Sequence, residues 1–115
     1  MVKKVLFITS NQGIEHDELT EPLNFLKSKG FEVIHAAEKN EDVATVKGDT
    51  KATTQYTPDT SLEHVDLNDY DLLVIPGGTV NADTLRINQD AQKIIQHFAD
   101  NHKPVAAICH GPWAL

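Results

Sequence analysis

Residues 105–115 read VAAICHGPWAL, an apolar run that ends abruptly at Cys109, the only cysteine in the chain. A reactive side chain on a sharp strand-to-helix turn needs small residues two positions away on either side, because bulk there would clash. Ala107 and Gly111 meet that requirement. The stretch therefore predicts a strand over residues 105–108, followed by a nucleophile elbow that carries Cys109.

Three other apolar runs have the length of strands buried on both faces of a parallel sheet. They are residues 4–9 (KVLFIT), 31–37 and 71–76. Gly30 is predicted to end the first helix in a left-handed conformation, and Asn88 to cap the last helix. The remaining predicted elements are helices over 17–29, 81–87 and 89–101, a helical turn at 62–68 and a surface hairpin within 40–60. The pattern predicts an α/β sheet with helices on both faces.

Composition sets the class of protein. A chain of 115 residues, 40% hydrophobic and 23% charged, is typical of one domain, and no apolar run approaches the ~20 residues of a membrane span. A net charge of -7 with scattered basic residues argues against nucleic acid as a partner. The N-terminus lacks the features of a signal peptide, and one cysteine forms no internal disulfide, so we expect a cytoplasmic location. No Cys or His spacing indicates a metal site, and we expect no cofactor.

Sites of doubly wound sheets lie outside the carboxyl ends of the strands, where loops 10–15, 77–83 and 109–111 are predicted to meet. There, a helix N-terminus after Cys109 would lower the thiol pKa from about 8.5 to between about 4 and 7. The alternative interpretation of Cys109 is a small hydrophobic core residue.

The backbone N–H of His110 and a second N–H from Gly77 or Gly78 are candidate oxyanion donors, since only glycine lets the backbone approach so closely. The alternatives are a surface histidine at a helix start and ordinary turn glycines. Two acids lie in the same zone. Glu15 is a candidate proton carrier for Cys109, and Asp83 is the second acid. The alternative for each is an ordinary acid near a helix start; the residues leave the choice open for Glu15 and favour this alternative for Asp83. The other histidines are interpreted as surface or packing residues: His16, His35, His64, His97 and His102.

Several motifs carry a resemblance. They are VLFITS at residues 5–10 followed by Glu15, DLLVIPGG at 71–78, ADTLR at 82–86, and KPVAAICHGPWAL at 103–115. Together they closely resemble the ThiJ/PfpI family, in particular its PfpI-like intracellular protease branch within the glutamine amidotransferase-like fold. The resemblance covers the chain outside residues 40–60. It implies a flavodoxin-like three-layer α/β sandwich with a mainly parallel sheet.

The resemblance also implies roles for individual residues. Cys109 is the nucleophile, His110 its partner, and Glu15 a buried acid hydrogen-bonded to the sulfur. In the PfpI branch the third member of the triad comes from a neighbouring subunit. The matching position here is Asp83, in a loop one residue longer than in some relatives.

Activities described for the family include cysteine peptidases, glutathione-independent glyoxalases, deglycases and stress chaperones. A thiolate with oxyanion donors and a proton carrier best fits chemistry on small reactive aldehydes. We therefore expect a cytoplasmic cysteine enzyme of that kind in a homo-oligomer, a dimer or larger. Two alternatives stay open: a cysteine peptidase acting on peptides, and a non-catalytic redox or chaperone-like protein in which Cys109 is oxidised. A true amidotransferase is disfavoured because no histidine lies far downstream of the cysteine.

Family members usually continue well beyond the elbow, whereas this sequence ends at Leu115. We therefore expect residues 1–115 to form a single domain of the family fold that lacks its C-terminal part.

Overall fold

The computed structural model describes residues 4–47, 51–77 and 79–107. Their helices and strands, in chain order, are β1 (Lys4–Thr9), β2 (Gln12–Glu15), α1 (His16–Ser28), β3 (Glu32–Ala37), β4 (Val43–Lys47), β5 (Lys51–Tyr56), β6 (Thr60–Ser61), β7 (Leu72–Ile75), α2 (Thr79–Ile87), α3 (Gln89–Asp100) and β8 (Val105–Ala107).

Within these ranges five strands form the main sheet in the order β6-β3-β1-β7-β8, and its paired strands run parallel. The chain moves from β1 to β3 on one side and then crosses to β7 and β8 on the other. A reversal beside the first strand is the feature that flavodoxin-like and other doubly wound folds share. The predicted fold class is confirmed.

The sheet is covered on both faces, which explains the continuous apolar run of β1. Leu6 and Ile8 belong to a core that includes Ile94 and Phe98 of α3. Val5 and Phe7, on the opposite face, belong to a core that includes side chains of α1. Alternate residues of one strand therefore enter two different cores, and the helices form the outer layers of a three-layer sandwich.

Both predicted helix boundaries are confirmed by their hydrogen bonds. The N–H of Gly30, at a φ of 89°, donates to the Lys27 carbonyl, and the N–H of Phe31 donates to the Leu26 carbonyl. This pair of bonds is the Schellman motif, which satisfies carbonyls that the helix end leaves free. At the start of α3 the Asn88 side chain accepts from the Ala91 N–H at 2.9 Å.

The segment after β1 differs from the prediction. Residues 10–15 were predicted as a loop, but β2 forms there and pairs parallel with β4, which in turn pairs antiparallel with β5. The hairpin within 40–60 is therefore confirmed, but it belongs to a second sheet. The prediction of a loop was wrong because the four-residue sequence QGIE has no strand pattern of its own. Its backbone partners lie about thirty residues further along the chain, in β4.

Smaller differences concern element ends. The turn predicted at 62–68 consists of two short 3₁₀ turns, Leu62–His64 and Leu67–Asp69, and β6 was not predicted. Across the described part of the chain, no helix has both the length and the apolar character needed to cross a membrane.

Candidate active site

The strand order reverses between β1 and β7, so the crevice used by doubly wound folds opens at their carboxyl ends. β1 is followed there by Ser10, and β7 by Pro76 and Gly77, all three of which are buried. β8 is the next strand, with Ala107 paired to Ile75. The structure thus brings the ends of these three strands to one edge of the sheet, as the sequence predicted.

Four predicted site residues lie outside the described residues: Gly78, Cys109, His110 and Gly111. Their roles stay predictions.

A buried side-chain amide joins the two strand ends at the crevice. Asn81, in the first turn of α2, is fully buried. Its Oδ1 accepts from the backbone N–H of Ser10 at 2.7 Å and lies 3.1 Å from the Ser10 hydroxyl, and its Nδ2 donates to the Pro76 carbonyl at 3.0 Å. The amide therefore links the residue after β1 to the residue after β7.

The network continues towards β2. The Ser10 hydroxyl lies 2.8 Å from the Gln12 carbonyl. Because a hydroxyl has one proton, it donates either to this carbonyl or to Asn81 Oδ1. Glu15 ends β2 with its backbone in register with Val46, immediately before α1 begins. The backbone of Glu15 is therefore fixed in a second sheet beside the crevice, although its side chain lies outside the described part.

Asp83 lies on α2 and is open to solvent. Its side chain is 52% exposed, and Oδ1 lies 3.8 Å from the guanidinium of Arg86. Exposed ion pairs of this kind contribute at most ~1 kcal/mol, so the carboxylate is held only weakly. A role for Asp83 in the site of a neighbouring subunit stays a prediction.

A polar cavity of about 400 Å³ lies beside the crevice, over the carboxyl ends of β1 and β3. Its lining includes Ser10 and Thr84 together with the acidic side chains of Glu38, Glu41 and Asp42. The cavity shares Ser10 with the Asn81 network. No group of three or more His, Cys, Asp or Glu side chains suited to a metal ion occurs among the described residues.

His35 is a buried packing residue of β3, on the sheet face that α1 covers. Its Nε2 forms a 2.7 Å hydrogen bond with Thr9 Oγ1, while Nδ1 has no hydrogen-bond partner among the described residues. Burial lowers the pKa of His35 to about 4, with a smaller lowering from Lys27 and an opposing effect of Asp59. The ring is therefore neutral at pH 7.

Sequence reasoning missed the linking role of Asn81 and Ser10. An asparagine shortly after a glycine turn is common in ordinary loops. The only available signal was its position at the start of a helix that follows a predicted strand of the site.

Comparison with known proteins identifies the family of this chain. Residues 3–115 match the DJ-1/PfpI family. The chain belongs to the DJ-1/PfpI family.

Two curated relatives and one solved structure illustrate the range of the DJ-1/PfpI family. The chain is 35% identical over 112 residues to deglycase TK1284 of Thermococcus kodakarensis, covering 97% of this chain and 63% of that protein. It is 36% identical over 115 residues to general stress protein 18 of Bacillus subtilis, covering 100% of this chain and 64% of the relative. The crystal structure of Drosophila melanogaster DJ-1beta superposes with a TM-score of 0.89 at 28% identity, covering 100% of this chain and 59% of that structure. The chain thus spans less than two thirds of the length of these relatives.

Proposed function

We propose that this chain carries the catalytic cysteine of an enzyme that acts on small reactive aldehydes, of the glyoxalase or deglycase type. The observation that best supports the proposal is the pair of hydrogen bonds from the Asn81 amide to Ser10 and Pro76. This Asn81 bridge holds the ends of β1 and β7 together where the strand order of the sheet reverses. The predicted elbow follows β8, the next strand. Membership in the DJ-1/PfpI family and a relative named as a deglycase support the same chemistry.

In the proposed reaction, methylglyoxal serves as the simplest substrate. The Cys109 thiolate attacks the aldehyde carbon, a carbon–sulfur bond forms, and the electron pair of the C=O bond moves to oxygen. Backbone N–H groups of Gly78 and His110 stabilise that oxyanion. Glu15 or His110 then moves the proton from the former aldehyde carbon to the neighbouring carbon. The electron pair of the oxyanion re-forms the C=O bond on the first carbon, and the ketone oxygen on the neighbouring carbon takes up a proton and becomes a hydroxyl. The resulting thioester is hydrolysed by water, which releases lactate and restores the thiol.

The test is methylglyoxal consumption with lactate as the measured product. Wild type is expected to convert methylglyoxal to lactate, while Cys109→Ser and Glu15→Gln lose at least about 100-fold in kcat. Glu21→Gln is the matched control for Glu15, because Glu21 is an exposed acid of α1 and is expected to keep wild-type kcat. A folded wild type that produces no lactate would refute the proposal.

Parallel assays separate the alternatives. Casein cleavage that is lost in Cys109→Ser, with no lactate formed, favours the peptidase. If oxidation of the cysteine changes suppression of aggregation while both assays are silent, the redox or chaperone alternative is favoured.

A further inference from the structure

We propose that Asn81 is a positioning residue for this reaction: its buried amide fixes the Pro76 peptide, and with it the chain that enters the glycine turn. The inference rests on the proposed function, in which that turn supplies an oxyanion donor.

Asn81 is buried with hydrogen bonds at both ends of its amide. It is 0% exposed, with Oδ1 bonded to Ser10 and Nδ2 bonded to Pro76. A buried amide is costly unless its polar atoms are paired. The bonds at both ends therefore restrain the amide, and the amide in turn restrains the two backbone segments.

The bridge lies beyond the ladder between β1 and β7, whose last pair is Phe7 with Val74. Pro76, two residues further on, has no N–H and cannot donate to a neighbouring strand. The Asn81 side chain provides a link between the strands at this point. It bonds to Pro76 through the carbonyl, the one polar backbone group that proline retains.

The bond to Pro76 has a direct consequence for the next residue. The Pro76 carbonyl and the Gly77 N–H belong to one planar peptide unit, so a restraint on the carbonyl also restrains the orientation of that N–H. Gly77 is buried and leads into the predicted oxyanion loop. The proposed oxyanion donor is the N–H of Gly78, one peptide unit further along the chain, and misplacement of a catalytic group by about 1 Å costs on the order of 100-fold in rate. Partial loosening of this peptide is therefore expected to lower kcat more than it raises KM.

Asn81→Asp is the most informative variant because it keeps the shape of the side chain. One carboxylate oxygen still accepts from Ser10, but the other opposes the Pro76 carbonyl unless the carboxyl group is protonated. We expect kcat to fall about tenfold at pH 8, with KM changed less than about threefold. Burial raises the pKa of such a carboxyl group. The ratio of variant to wild-type kcat should therefore recover as the pH is lowered towards 5.

Asn88→Asp is the matched control. Asn88 caps α3 and donates to Glu38 at 3.0 Å, and it has no bond to β1 or β7 among the described residues. Aspartate also accepts well at a helix N-cap. The new carboxylate repels that of Glu38 and is expected to lower stability, but it makes no bond to the Pro76 peptide, so we expect the folded variant to keep wild-type kcat at each pH. A folded Asn81→Asp protein with kcat within twofold of wild type at every pH would overturn the inference.

A second measurement separates this inference from the proposed function. If wild type forms no lactate, the proposed function fails. The position of the peptide is then read from hydrogen exchange and the NMR shift of the Gly77 amide. Asn81→Asp should shift that signal and accelerate its exchange at pH 8, whereas Asn88→Asp should do neither. An unchanged Gly77 amide in Asn81→Asp would overturn the inference independently of activity.

Ser10→Ala takes the place of Asn81→Asp if that protein does not fold. It removes the hydroxyl beside Asn81 Oδ1 and keeps the Ser10 N–H bond. We expect faster exchange of the Gly77 amide and a kcat lowered about threefold. Unchanged exchange together with unchanged kcat would contradict the inference.

Discussion

Thr9 and His35 form a buried side-chain hydrogen bond of 2.7 Å between the two neighbouring strands β1 and β3. Nδ1, the other ring nitrogen, has no hydrogen-bond partner within the described part of the chain, and the pKa of His35 is lowered to about 4, chiefly by burial. The ring of Tyr56 lies 5.7 Å from the His35 ring, and the charges of Asp59 and Lys27 act on the pKa in opposite directions. The fold therefore contains a histidine that is neutral when folded and readily protonated when unfolded.

The difference in the pKa of His35 between the folded and unfolded states predicts that the protein becomes less stable in acid. Because the folded pKa lies below the ordinary value of 6.5, the unfolded state binds more protons between pH 6.5 and pH 4. The contribution of neutral His35 to the free energy of unfolding is up to about 3 kcal/mol. It is fully present above pH 6.5 and is lost as the pH falls towards 4. Urea unfolding of wild type and His35→Gln across this range should show the variant losing less stability with acid. His102→Gln, at an exposed histidine, should follow wild type; a His35→Gln difference independent of pH would contradict the assignment.

The core under α3 predicts that replacing two phenylalanines by alanine has very different effects on the free energy of unfolding. Phe98 is fully buried against the sheet, whereas Phe25 is 59% exposed on α1. Phe98→Ala should lower the free energy of unfolding by about 3 to 5 kcal/mol because it leaves a cavity. Phe25→Ala should change it by about 0.5 kcal/mol or less. Denaturant titration measures both, and similar losses in the two variants would contradict the description of the core.

The end of α1 predicts a backbone effect without a steric one. A Cβ at Gly30 would meet no atom within 4 Å, but the residue has a φ of 89°. Gly30→Ala should therefore destabilise by about 1 kcal/mol through backbone conformation alone. Gly30→Asn should lose less, since asparagine tolerates the left-handed region better. Equal thermal unfolding of wild type and Gly30→Ala would show that the left-handed turn is not required.

The exposed position of Asp83 makes the predicted sharing of the site testable by subunit mixing. If Asp83 completes the site of a neighbouring subunit, Cys109→Ser and Asp83→Asn should each be inactive. A mixed oligomer then contains one site with both native residues and should recover part of the lactate-forming activity. Light scattering should show an oligomer. A monomer, or exchanged subunits that stay inactive, would contradict a shared site.

Much of the fold was predictable because it depends on local signals. The apolar run at 4–9 indicates a strand covered on both faces, Gly30 supplies a left-handed helix end, and Asn88 supplies a cap. β2 was not predictable in the same way, because its hydrogen bonds come from a strand about thirty residues away.

In the candidate site, too, local features were predictable and long-range contacts were not. The cysteine elbow and the glycine turn carry local sequence patterns, so both could be predicted from the sequence, and the elbow stays a prediction. The hydrogen bonds of Asn81 instead join Pro76, just before the glycine turn, to Ser10, which is 71 residues away from Asn81 in sequence. Such a contact exists only after the sheet has brought β1 and β7 together, and no local pattern predicts it.

The most direct test of the proposed chemistry is lactate formation from methylglyoxal by wild type and by Cys109→Ser, each first shown to be folded. The proposal predicts that wild type forms one lactate for each methylglyoxal consumed and that Cys109→Ser forms none above the uncatalysed rate. Equal lactate formation by the two proteins would contradict a role for Cys109 as the nucleophile.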